Sequence, residues 1–188
     1  MFSAYLELGI GHILDPKGLD HVLFLVVLVL AHSLAQWKQV LVLATAFTLG
    51  HSVTLALAAY DLVTLDSALV ELLIAISIAA TALYNLAKPV SSTLTPLRYT
   101  AALLFGLIHG LGFSNYFRII LGKDSIILPL LGFNLGVEIA QVIIVTIVLL
   151  VMHLLTKNFK LEKKYVIIAI SAIVLVFSLK MVVERLLS

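Results

Sequence analysis

The sequence predicts an all-α membrane protein, a bundle of six transmembrane helices with a short N-terminal interfacial or re-entrant segment. The 188 residues are 62% hydrophobic and only 12% charged, whereas soluble domains average about 45–50% apolar and about 25% charged residues. The mean hydropathy is +1.19, and six apolar runs lie near the ~20 residues that cross a bilayer as a helix. The length fits a single domain, residues 1–188.

The six predicted spans are separated by short connections. The spans cover residues 19–35, 40–60, 67–86, 99–119, 126–155 and 165–186. The fifth run is long enough to predict a tilted helix or one that extends past the bilayer. The segment before them, residues 1–18, is too short to span and is interrupted by glycine and proline. We therefore expect it to cap the bundle.

Lysine and arginine in the short loops predict the orientation of the chain. Four lysines, Lys157, Lys160, Lys163 and Lys164, lie in or next to the connection before the last span. Because cytoplasmic loops carry an excess of basic residues, this connection is predicted to lie inside and both termini outside.

The six histidines are the most informative polar residues of this apolar chain, and at least three lie within hydrophobic runs. A titratable ring in a bilayer is costly, so it is expected to face a protein interior or a water-filled cavity. Imidazole is also the commonest side-chain metal ligand. The chain has no cysteine, so a metal site would use histidine, carboxylate, amide or backbone donors.

Seven residues form the predicted metal site. Asp20 and His21 open the first span, His51 lies in the outer half of the second, and His109 lies near mid-depth in the fourth. Asn134 and Glu138 lie roughly 12 and 18 Å into the fifth span, counted at about 1.5 Å per residue. His12 completes the set: His12, Asp20, His21, His51, His109, Asn134 and Glu138.

Helical spacing places several of these residues on shared faces. Two polar stripes are predicted, Thr48–His51–Ser52 at i, i+3, i+4 and Asn134–Glu138–Gln141 at i, i+4, i+7. A structural alternative stays open for any single histidine, because histidine also forms hydrogen bonds between membrane helices. Asp20 has a structural alternative too, as the N-cap of the first span. An ionised carboxylate near mid-membrane is costly unless paired, which favours a functional role for Glu138.

Four segments resemble the HupE/UreJ family: GHILDPKGLDHVLF (11–24), FTLGHSVTL (47–55), GLIHGLGF (106–113) and FNLGVEIAQ (133–141). The resemblance spans nearly the whole chain and implies a small bacterial inner (plasma) membrane protein that handles a divalent metal ion, with nickel favoured and zinc possible. In hydrogenase-linked members, five residues separate a histidine from an Asp-His pair. Here seven separate His12 from Asp20 and His21, which leaves the pair as the better supported ligands.

Three functions remain open from the sequence. The leading hypothesis is a metal-ion permease that passes the ion through successive weak sites. The second is an intramembrane zinc hydrolase with three histidines, Ser52 nearby and Glu138 as general base. The third is a membrane accessory protein or sensor that binds metal without moving it. The expected partners are the metal ion and the lipid bilayer, with a second copy of the chain as a further candidate, and no nucleic acid is expected.

Overall fold

The computed structural model describes residues 2–16, 18–89, 96–121 and 126–187, and these residues form seven α-helices. The helices are α1 (Phe2–Leu14), α2 (Asp20–Val29), α3 (Trp37–Ala59), α4 (Ser67–Ala87), α5 (Pro96–Leu121), α6 (Ile127–His153) and α7 (Lys163–Leu187). A short 3-10 turn, Leu34–Gln36, leads into α3, and a π-helical turn, Leu154–Asn158, continues α6.

Five of the described helices, α3 to α7, are long and apolar enough to cross a membrane. Their bounds lie within three residues of the predicted second to sixth spans. The all-helical membrane class is therefore confirmed in the described residues, but the predicted count of six spans is not. The helix in the first predicted span, α2, has ten residues and a length of roughly 15 Å at 1.5 Å per residue.

Helix α2 ends before residue 35, the predicted end of the first span, because side chains bond to the carbonyl groups that a longer helix would use. The Nδ1 of His32 lies 3.1 Å from the carbonyl oxygen of Val29, and the Nζ of Lys163 donates to the carbonyl oxygen of Ala31 at 2.6 Å. Ser33 is extended, with φ −115° and ψ 162°. The prediction of one helix through residue 35 was wrong, since the backbone turns between α2 and α3.

The N-terminal segment forms the 13-residue helix α1, shorter than the ~20 residues of a spanning helix. It lies against α6 along glycines of both helices. A side chain at Gly9 would collide with the carbonyl group of Phe133, and one at Gly136 would collide with that of Leu6. Glycine thus lets the two backbones approach closely, as at other membrane helix crossings.

Helices α3 and α5 make a second contact of the same kind. A side chain at Gly50 would collide with the carbonyl group of Leu103, and one at Gly106 with that of Phe47. His51 follows Gly50 directly, and a Cβ at Gly110, next to His109, would meet the backbone of His51. The close packing of α3 and α5 therefore fixes the separation of two mid-helix histidines.

Candidate metal centre

Four histidines from four different helices converge in the interior. One ligand nitrogen each from His12, His21 and His51 lies within 4.8 Å of the other two. The ring of His109 adjoins them, with its centroid 5.1 Å from that of His21. His51 and His109 are fully buried, and His21 is 3% exposed. Spacing along the chain did not show whether these residues point toward one another. The packing of α1, α2, α3 and α5 brings them together.

The ring nitrogens of this histidine cluster leave several lone pairs without a partner. The Nε2 atoms of His12, His21 and His109 and both ring nitrogens of His51 are buried without a hydrogen bond to any described residue. The Nδ1 of His109 donates to the carbonyl oxygen of Phe105 at 2.8 Å, which leaves its Nε2 as an acceptor. Unsatisfied buried nitrogens are costly, and a divalent cation would supply the missing partner to several at once.

Asp20 orients one of the rings. Its Oδ1 lies 3.2 Å from the Nδ1 of His21 and accepts from the backbone N–H of the same residue at 2.9 Å. A carboxylate that holds the far nitrogen of a histidine fixes the tautomer and raises the basicity of the nitrogen that faces a metal. The N-cap position of α2 belongs to Leu19, so Asp20 does not cap the helix. Its geometry is that of a supporting residue behind His21.

His12 belongs to the cluster despite its unusual distance along the chain from the Asp-His pair. Its ring centroid lies 4.6 Å from that of His21 and 5.7 Å from that of His51. The two extra residues therefore do not separate His12 from the pair. The reason is tertiary, because the glycine contact at Gly9 holds α1 against α6 and places the end of α1 beside the start of α2.

Phenylalanine rings surround the cluster. The centroids of Phe24 and Phe47 lie 5.1 and 5.0 Å from that of His109. Phe133 stacks against His51 at 6.1 Å with an angle of 18° between the ring planes. Phe24, Phe47 and Phe133 have no exposed surface. Such walls exclude water and strengthen the electrostatic attraction between a bound cation and its ligands.

A cavity of about 180 Å³ connects the cluster to one end of the bundle. We call it the vestibule. It is lined by His12, His21, His109, Asp15, Asp20, Glu71 and Arg185, among others. Glu71 lies near the start of α4 and Arg185 near the end of α7, and their side chains form an ion pair at 2.9 Å. Three carboxylates on the approach give the vestibule groups that attract a cation.

Three charged residues of the vestibule, Asp15, Glu71 and Arg185, were not in the predicted site. Glu71 and Arg185 matter most, because they pair with each other. The sequence does contain a signal for this pair, because the opposite charges of Glu71 and Arg185 lie at the same predicted end of the bundle. Their pairing across α4 and α7 is a tertiary fact, which no spacing within either helix could indicate.

Glu138 lies outside the histidine cluster. Its two carboxylate oxygens accept hydrogen bonds from the hydroxyl groups of Thr45 at 2.6 Å and Thr48 at 2.5 Å. Thr48 precedes His51 by three residues, so this carboxylate lies about one helical turn along α3 from the cluster. The two predicted polar stripes, of α3 and α6, thus meet at the Thr48–Glu138 contact.

The other polar residues of the α6 stripe have buried polar atoms without a partner. The Oδ1 of Asn134 and both side-chain amide atoms of Gln141 have no hydrogen bond to a described residue, and Gln141 is completely buried. Glu138 does not belong to the group of ligand atoms formed by His12, His21 and His51. Asn134 and Glu138 as metal ligands stay predictions.

A family model described as HupE / UreJ protein matches residues 1–185. The chain belongs to the HupE/UreJ family. Membership in this membrane-protein family and the long apolar helices together make it an integral membrane protein. No curated protein and no solved structure has significant similarity to the chain. The family suggests a nickel or cobalt transporter or an accessory protein.

The four segments that resemble this HupE/UreJ family are those that the fold brings together. The first supplies His12, Asp20 and His21 from α1 and α2, and the second and third supply His51 and His109 from α3 and α5. The fourth lies in α6, where Phe133 forms part of the wall of the cluster. The resemblance in sequence therefore corresponds to one continuous region of the interior.

Proposed function

We propose that this HupE/UreJ protein is a permease for a divalent metal ion, with nickel as the favoured substrate. The observation that carries the proposal is the convergence of His12, His21 and His51, whose ligand nitrogens lie within 4.8 Å of one another. Neutral imidazole nitrogen suits nickel, zinc and related ions of intermediate softness. The absence of cysteine removes the thiolates that soft ions prefer.

Carboxylates and imidazoles follow one another from the vestibule inward. An arriving cation meets Asp15, Asp20 and Glu71 in the vestibule before it reaches the unpartnered histidine nitrogens. Beyond His51 on α3, Glu138 offers the next carboxylate. Conduction requires sites that attract the ion yet release it. A series of partial ligand sets meets that requirement better than one closed cage.

Uptake of radioactive nickel by cells that express the chain tests this function. Wild type is compared with His21→Ala and Glu138→Ala, and with His153→Ala as the matched control. His153 is exposed at the end of α6 and does not line the vestibule. We expect uptake in wild type and His153→Ala and its loss in His21→Ala. Equal uptake in all four proteins at equal expression would contradict the proposal.

A zinc hydrolase remains the second candidate, because three histidines supported by a carboxylate also form the ligand set of catalytic zinc sites. Glu138, the general base of that hypothesis, is instead bonded to Thr45 and Thr48. Metal content of the purified protein by mass spectrometry separates the candidates. A hydrolase should retain about one zinc ion per chain, whereas a permease should lose its ion on dialysis and accumulate nickel in cells. Retained metal without uptake or hydrolysis would favour an accessory protein.

A further inference from the structure

A second cavity lies at the other end of the bundle from the vestibule, and we call it the distal cavity. Its volume is about 400 Å³. It is enclosed by the connection between α2 and α3, the end of α6 with its π-helical turn, and the start of α7. The polar residues that line it are His32, Ser33, His153, Thr156, Lys157 and Lys163. None of them lines the vestibule, so the two cavities are separate.

The distal cavity is positively charged. None of the described residues that line it is acidic, and within the described part of the chain neither Lys157 nor Lys163 forms an ion pair with a carboxylate. Lys163 reaches only a neutral acceptor, the carbonyl oxygen of Ala31. Arg98 adds a further positive charge, with its Nη1 3.4 Å from the Nε2 of His32.

The pKa of His32 is affected by burial and by these positive charges. Its pKa is lowered to about 4, mainly because it is buried and further because Arg98 and Lys163 are positive, although its bond to Val29 acts in the opposite direction. The ring is therefore neutral at pH 7. A divalent cation would meet two lysines here without a carboxylate among the lining residues, so His32 and His153 do not form a second metal site.

One helix start also points to an anion, because Lys163, the first residue of α7, lines the cavity. The N-terminal end of a helix carries partial positive charge and backbone N–H groups that bind phosphate. The distal cavity thus combines the start of α7 with two lysine side chains.

We propose that the distal cavity binds a phosphate group, held by Lys157 and Lys163. The group could belong to an anionic phospholipid of the bilayer or to free inorganic phosphate. Basic pockets between membrane helices are known places for lipid headgroups, and the lining residue Leu161 and nearby Phe159 expose apolar side chains on which acyl chains could lie. The proposal is independent of the metal permease, because it uses none of the residues of the histidine cluster.

The test uses the detergent-purified full chain. Native mass spectrometry measures the retention of added phosphatidylglycerol against phosphatidylcholine, and thermal unfolding measures stabilisation by sodium phosphate against sodium chloride at equal ionic strength. The key variant is Lys157→Gln, whose side chain is exposed, so the fold should persist. Lys164→Gln is the matched control, since it removes the same charge from the neighbouring turn but does not line the cavity.

We expect wild type and Lys164→Gln to bind alike and Lys157→Gln to bind about tenfold more weakly, the loss of one hydrogen bond to a charged group. Loss confined to phosphatidylglycerol identifies a lipid headgroup, and loss confined to sodium phosphate identifies the free ion. Equal binding by Lys157→Gln and Lys164→Gln would overturn the proposal. So would a wild type that discriminates neither phosphatidylglycerol from phosphatidylcholine nor phosphate from chloride.

Discussion

Replacing Gly9 with alanine should weaken metal binding without removing any ligand. A Cβ at this position would lie 2.1 Å from the carbonyl oxygen of Phe133, and real Cβ atoms essentially never approach a neighbour within 3.0 Å. Helices α1 and α6 must therefore move apart by about 0.9 Å, the difference between these two distances. His12 lies three residues further along α1 and would move with it.

The expected loss follows from the tolerance of metal coordination. Ligand distances lie within about 0.2 Å of their ideal values, so a displacement several times larger takes His12 out of bonding range. We expect at least the ~10–100-fold loss of affinity that follows from removing an outer-shell partner of a ligand. Titration of the purified, monodisperse protein with Ni²⁺ by isothermal calorimetry measures this affinity.

Gly11→Ala is the matched control for this prediction. It is the same substitution two residues away on α1, and a Cβ at Gly11 meets no atom within 4 Å. Because alanine is favoured over glycine within a helix by roughly 0.5–1 kcal/mol, Gly11→Ala should leave affinity unchanged and stability unchanged or slightly higher. If Gly9→Ala binds Ni²⁺ as tightly as Gly11→Ala does, the close approach of α1 and α6 does not position His12, and the reasoning fails.

Three further predictions concern the support of the metal centre, the carboxylate of Glu138 and the distal cavity. Asp20→Asn should retain the metal ligands but bind Ni²⁺ about 10–100-fold more weakly, and calorimetry on this variant would contradict a supporting role if affinity were unchanged. Thr48→Val removes a hydroxyl donor from Glu138 and should lower the free energy of unfolding by about 1.5–3 kcal/mol, whereas Thr81→Val, whose hydroxyl bonds only to its own helix, should cost less in the same thermal unfolding assay. The lowered pKa of His32, about 4 against an ordinary value of ~6.5, means that the unfolded chain binds more protons between these pH values. Stability should therefore fall as pH decreases from about 6.5 to about 4, and His32→Gln should flatten this dependence; parallel unfolding curves of wild type and variant across that range would refute the assignment.

The sequence predicted the long helices well because their signal is local. Each of α3 to α7 is a run of apolar residues that must satisfy its backbone within the helix when it lies in lipid. Hydropathy and length are sufficient to recognise such a run, whatever it packs against. The bounds of Ser67–Ala87, for example, differ from the predicted ones by a single residue.

The same reasoning failed for α2 because its end depends on a distant residue. Residues 19–35 are apolar enough to predict one span, but Lys163 donates to the carbonyl oxygen of Ala31 across 132 positions of the chain, and His32 bonds to Val29. Nothing in the local pattern distinguishes a carbonyl group that stays in a helix from one that accepts a lysine.

For the candidate site, too, the sequence predicted some features and the tertiary packing determined others. Residue type and depth were readable from the sequence, and the structure brings His12, His21 and His51 together, with His109 beside them. Depth, helical spacing and charge predicted Glu138 in the same site, but the structure pairs it with two threonine hydroxyls. A helix shows which residues share its face, but its sequence does not say what that face meets.

The sequence by itself thus determined the membrane class, the long spans and the identity of the polar residues, because these depend on local composition and helical period. Tertiary structure alone decided which faces meet, through the backbone approach that glycines permit between α1 and α6 and between α3 and α5. That approach sets distances between histidines of different helices. Metal coordination requires ligand distances that are correct to within a fraction of an ångström, and these distances cannot be derived from spacing along the chain.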